Sequence, residues 1–200
     1  MTGWLDALEP AAPDVVGAFR NVEAGRFIAV RRDIRKRMAV GAAPFVVPQL
    51  GAIAAALDAM VVSLPEAAFT EPGGEGDWNV AEAIGHVAHA RAGLTTAGAL
   101  AASGRFPEDA PQVVPSIPGD AASTRDELRR RIALSQRIVE RSARAIEGHE
   151  TDPCPLDHPL VGRLRCGEWL LFSGVHDLMH LEQLHEIEAR HRSLISARNR

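Results

Sequence analysis

An all-α fold is predicted by three features of this chain. Four stretches repeat apolar residues at helical spacing, and clusters of Pro and Gly separate them. Two of those stretches open with capping boxes, Asn79 with Glu82 and Thr124 with Glu127, where each partner satisfies an orphan backbone N–H of the other. Ala-rich sequence dominates, while β-branched runs of strand length are few.

The elements follow in order. Residues 1–43 read as an N-terminal extension with a helix from about Val22 to Met38. The first main helix runs from about Pro48 to Leu64, with Leu50, Ile53, Leu57, Met60 and Val61 on one stripe and Pro65 behind it. The loop Glu71-Pro72-Gly73-Gly74-Glu75-Gly76-Asp77 cannot continue a helix cheaply. The second helix starts at Asn79, carries Val80, Ile84, Val87 and Leu94, and ends near Gly104. Residues 105–120 hold four prolines and read as an irregular crossover. The third helix runs from Thr124 to about Gly148, burying Leu128, Ile132, Val139 and Ile146. A second loop spans His149 to Arg165, and the fourth helix runs from about Gly167 to His191. Four main helices with long connections describe a bundle with at least one crossover.

Composition bounds the function. The chain has 200 residues, 46% hydrophobic and 24% charged, which is globular rather than disordered. Its formal net charge of −4 supplies no global field for nucleic acid. The one basic cluster, Arg31 to Arg37, reads as a solvated helix face. Cys154 and Cys166 are the only cysteines, which excludes a disulfide scaffold, and their separation fits no standard zinc module. The N-terminus has no signal-peptide pattern, and no apolar stretch is read as long enough to span a membrane. A cytoplasmic protein acting on a small molecule is expected, with no nucleic-acid or membrane partner.

The chemistry concentrates in His176-Asp177-Leu178-Met179-His180. Two histidines at i, i+4 share one helical face, so both imidazoles can reach one ion. Trp169, Phe172, Ser173, His176, His180, Leu184 and Ile187 form a single stripe, which turns the pair into the bundle. A buried imidazole with an unpaired nitrogen costs on the order of 1–3 kcal/mol, and a shared cation would relieve that cost. Asp177 replaces the glutamate of an HExxH motif, which disfavours a zincin-type protease. A third ligand has to come from another helix, and the second offers His86 and His89, on one face with Glu82. Periodicity does not choose between them. Glu82, already engaged by the capping box, and Asp177 are candidates to orient the ligands, as are Glu182 and Gln183 without a firm role.

Two blocks carry a family resemblance. The first is Asp77-Trp78-Asn79-Val80-Ala81-Glu82-Ala83-Ile84-Gly85-His86-Val87. The second joins His158-Pro159-Leu160-Val161-Gly162 to Gly167-Glu168-Trp169-Leu170-Leu171-Phe172 and His176-Asp177-Leu178-Met179-His180-Leu181-Glu182-Gln183. In these residues the chain resembles the DinB/YfiT-like superfamily of metal-binding four-helix bundles, over about residues 45–192. The resemblance implies an up-down-down-up bundle over 44–192, followed by a C-terminal tail, 193–200. It assigns the third ligand to His86 and leaves His89 as a neighbour. It further implies nickel, zinc or a similar divalent ion, and a homodimer.

Relatives of that kind include mycothiol-dependent maleylpyruvate isomerase and bacillithiol transferases, and others are described as metal-dependent hydrolases. The expected activity is therefore metal-dependent transfer of a low-molecular-weight thiol, such as bacillithiol or mycothiol, to a small electrophile. Metal-bound thiolate or water would be the nucleophile. A hydrolase of a small substrate and a non-catalytic metal-binding module are the alternatives. Residues 1–43 lie outside the resemblance and are expected to serve as a dimer contact or a pocket lid.

Overall fold

Asn79 Oδ1 accepts from the N–H of Glu82, whose carboxylate accepts from the N–H of Asn79, both at 2.8 Å. Thr124 and Glu127 exchange the same pair of bonds. These two capping boxes start two of the four long helices of the structure, a computed structural model that describes residues 3–23, 25–73 and 76–198. In chain order the helices are α1 (Gly3–Leu8), α2 (Pro13–Glu23), α3 (Phe27–Arg37), α4 (Ala43–Ser63), α5 (Val80–Ala102), α6 (Arg125–Ile146) and α7 (Cys166–Arg198). A 3₁₀ turn, Glu66–Thr70, links α4 to α5. Strands β1 (Pro153–His158) and β2 (Gly162–Arg165) form an antiparallel hairpin between α6 and α7.

The protein is thus mostly helical, and α4 and α5 each pack against both α6 and α7. The stripes expected on α4 and α6 are buried, from Leu50 to Val61 and from Leu128 to Ile146. Around α7 the burial is wider than one stripe: every residue from Cys166 to Leu178 is buried. A helix buried on all sides needs cover on all sides, and the N-terminal segment supplies part of it. Val15 of α2 and Leu50 of α4 close on Gly174, where an added Cβ would lie 2.9 and 2.5 Å from their side chains. Residues 3–43 share this core through Leu5, Phe19, Val30, Ile34 and Met38.

Four expectations need correction. The helix expected from Val22 to Met38 begins only at Phe27 as α3, because Gly25 turns the chain at φ +67° after α2 ends at Glu23. The segment His149 to Arg165 is not irregular throughout but holds the hairpin. Its prolines masked it, yet a two-stranded sheet has only edges, where Pro is tolerated. The basic cluster is only partly solvated: Arg35 makes a bidentate pair with buried Glu168 at 2.8 and 3.2 Å, and Arg37 reaches Asp14 and Asp33. By length and composition α4 is apolar enough to cross a membrane, contrary to the reading above, although its apolar stripe is spent in the core.

Helix ends also move. The start of α4 lies a turn before Pro48, and its first N–H, that of Ala43, donates 3.2 Å to the buried carboxylate of Glu150, 107 residues away. At the other end of the chain α7 continues to Arg198, through most of the residues assigned to a tail, and positions 199 and 200 lie outside the described residues.

Candidate metal centre

Position 86 falls on the second turn of α5, and positions 176 and 180 lie one turn apart midway along α7. Because α5 packs on α7, the three imidazoles meet, with ring centroids 5.1 Å apart for His86 and His176, 5.2 Å for His86 and His180, and 4.7 Å for His176 and His180. All three are buried, and one nitrogen from each lies within 4.8 Å of the others.

Hydrogen bonds set the tautomers. Nδ1 of His86 lies 2.8 Å from the carbonyl oxygen of Ile117, which can only accept, so Nδ1 carries the proton. In the neutral ring Nε2 is then a lone pair. Nδ1 of His180 donates to Oε1 of Gln183 at 2.9 Å, with the same consequence. Burial keeps the two α7 rings neutral: it pushes His176 well below the usual imidazole range and His180 down to about 4, and neighbouring imidazoles add to both shifts.

This donor set fits a divalent ion. Nε2 of His86 and Nε2 of His176 are 3.3 Å apart. Two nitrogens each about 2.0–2.1 Å from a shared tetrahedral ion would be roughly 3.3–3.4 Å apart. The same distance is long for a hydrogen bond between two rings. Nδ1 of His176 is buried with no hydrogen-bond partner among the described residues, so packing alone leaves that ring poorly served.

The other candidates are placed as follows. The Glu82 carboxylate stays in the capping box rather than on His86. Asp177 points away from the histidines to Arg91, and both side chains are fully buried. Desolvation pushes its carboxyl up to about 7 against the pull of Arg91. Arg91 also donates to Leu50 O and to Gln136 Oε1, at 3.2 and 2.6 Å, so the pair ties α4, α5, α6 and α7 together. His89 is exposed, one turn from His86, at the wall of the neighbouring cavity. Cys154 and Cys166 are buried free thiols that desolvation holds at about 11 and about 12, unreactive as nucleophiles near neutrality.

Two participants were not singled out by sequence reasoning. Ile117, in the crossover, reaches His86 because Gly85 and Gly119 let the two backbones touch; a Cβ on Gly85 would sit 2.7 Å from Cα of Gly119. His158, read as a loop histidine, is buried at the end of β1 with its ring 6.4 Å from that of His176 and 4.6 Å from Phe172. Burial lowers it to about 4, and Leu160 N–H donates to its Nδ1 at 3.2 Å, which leaves the neutral ring's proton on Nε2. Its place in the second resemblance block was the available signal.

The histidines open onto a cavity of about 870 Å³ between α5, the crossover, β1 and α7. No described residue of 3–43 lines it, so the N-terminal helices cover α7 and not this opening.

A family model described as the DinB superfamily matches residues 49–184, a span that includes all three histidines. No curated protein and no solved structure matches the chain.

Proposed function

The chain belongs to the DinB superfamily, and from that membership we propose a metal-dependent enzyme that transfers a low-molecular-weight thiol to a small electrophile. What carries the reading is the meeting of three buried imidazoles at the wall of a cavity, with the Ile117 carbonyl on Nδ1 of His86 leaving its Nε2 to face the site. Three nitrogen ligands suit zinc or nickel and leave positions on the ion for reactants, as catalytic sites do. A bound divalent ion supplies Lewis acidity, which lowers the pKa of a thiol or water and so makes a nucleophile near neutrality.

The protein's own groups do the rest. His86, His176 and His180 hold the ion, and Ile117 and Gln183 fix two of the rings in the tautomer that presents Nε2. The apolar surroundings keep His176 and His180 unprotonated at neutral pH, so protons do not compete with the ion there. His158 presents an Nε2–H at the same wall, a donor for a substrate oxygen. Phe172 and Trp169 pack against that ring and hold its plane.

The test pairs elemental analysis of the purified protein with an activity screen. Bacillithiol or mycothiol with a small electrophile is run beside simple esters, with His176→Ala as control. Metal-dependent thiol consumption, lost in the variant, is expected. Ester cleavage without thiol consumption would move the protein to the hydrolases, and no bound metal would end the reading.

A further inference from the structure

Along α5 the residues His86, Ala90, Gly93, Ala97 and Leu100 recur at intervals of four, three, four and three, which places them on one face. All five line the cavity. The stripe covers 14 residue steps, about 21 Å of helix at ~1.5 Å each. Three of its members are small, and Gly93 is small for a different reason than its neighbours. A Cβ on Gly98 would strike the Cys166 carbonyl oxygen at 2.6 Å, and one on Gly85 would strike Gly119. A Cβ on Gly93 meets nothing within 4 Å. Close packing does not require that glycine; it keeps the groove open.

The facing wall is apolar, built from Phe106, Val114 and Ile117 of the crossover with Leu156 and Met179. Among the described residues no Asp, Glu, Lys or Arg lines the groove. A carboxylate or phosphate lying along it would lose its hydration without gaining a partner. Most polar lining side chains lie towards one end, where His158 and Gln183 join the three histidines, His89 sits one turn from His86 and Ser116 precedes Ile117. Thr96 is the polar lining residue farther along α5. Apart from Thr96, the groove therefore runs from a polar end at the histidines to an apolar one towards Leu100.

We infer that the electrophile is neutral and carries an extended alkyl or aryl tail, its reacting polar end at the histidines and its tail laid along α5 towards Leu100. The inference rests on the enzymatic reading above for which end reacts. The tail specificity is a property of the groove itself and can be measured without the metal.

The test uses the full chain, freed of metal by chelation, with Nile red as a neutral apolar probe displaced by 1-alkanols from butanol to dodecanol and by n-alkanoates of equal length. Affinity should rise about two- to fourfold per methylene, with alkanols at least tenfold ahead of the matching alkanoates. Gly93→Leu, with free space for its side chain, should place a block about 10 Å from His86 along the helix. Dodecanol should then lose tenfold or more while butanol is unchanged. Ala97→Phe should move the block outward by one turn and spare the intermediate lengths. Zinc uptake by each variant, measured separately, should match that of the unaltered protein. Affinity independent of chain length, alkanoates equal to alkanols, or a series untouched by both substitutions would each overturn the proposal. So would a groove closed to Nile red by self-association. A protein that shows the full chain-length series yet takes up no zinc would sink the metal reading and leave the groove's preference standing.

Discussion

The carbonyl oxygen of Ile117 lies 2.8 Å from Nδ1 of His86, across 31 residues of chain. The contact exists because the crossover is stitched to its surroundings. Gly119 N–H donates to the Glu82 carbonyl at 2.9 Å, Val114 N–H to the Asp157 carbonyl at 2.9 Å, and Asp157 N–H to the Gln112 carbonyl at 2.8 Å. A proline-rich connection without regular structure thus becomes the part that decides which nitrogen of His86 faces the site.

Gly85→Ala tests this. The new Cβ would press on Cα of Gly119, backbone against backbone, so the crossover must shift. Stability should fall by about 1–3 kcal/mol in urea denaturation. Zinc affinity should drop roughly 10–100-fold as the Ile117 carbonyl leaves His86. An unchanged zinc affinity beside the stability loss would show that the carbonyl does not orient the ring.

Metal should stabilise the fold by mass action. Zinc or nickel at about 100 times its Kd should add ~2.7 kcal/mol, raising the Tm, and chelator should reverse the gain. His176→Ala should respond to neither. A wild-type Tm indifferent to both ions and to chelator would count against the site.

Removing one partner of the buried Arg91–Asp177 pair strands the other charge among four helices. Asp177→Leu should cost about 3–5 kcal/mol, and the double variant Arg91→Met with Asp177→Leu should recover much of it. Additive losses in that cycle would mean the two groups are not coupled.

Acid should weaken the metal-free protein. His158 and His180 are held at about 4 and His176 well below the usual value, all chiefly by burial, against ~6.5 for an imidazole in the unfolded chain. The unfolded state therefore binds more protons between roughly 6.5 and 4, so this stability is present above that window and lost as pH falls through it. Asp177, raised to about 7, works in the opposite direction, since its burial cost is relieved as it protonates. Three imidazoles outweigh one carboxyl. The Tm of chelated protein should be lower at pH 5 than at pH 7.5, and a flat or rising trend would contradict the assignment.

Much of the helical plan was legible because its signals are local. Asn79 with Glu82, and Thr124 with Glu127, act within one turn and need no distant partner. The stripes on α4 and α6 were readable for the same reason: three or four residues bring the chain back to one face. Where the fold used a long-range partner, sequence reasoning stopped short. Glu150 completes the start of α4 from 107 residues away, and the hairpin at 153–165 depends on pairing that its prolines concealed.

By itself the sequence determined that His176 and His180 share a face, since an i, i+4 spacing on a helix leaves no other arrangement, and that His86 and His89 lay near each other on a second helix. Periodicity left open which of those two turns inward; the family resemblance assigned His86, and the structure places that ring with His176 and His180. Only the tertiary structure decided that Asp177 serves Arg91 instead of the site, and that Ile117 and His158 complete the surroundings. The physical reason is one of range. Helical periodicity fixes angles within an element, whereas the crossing of α5 over α7 and the path of the crossover are fixed by packing between residues far apart in the chain.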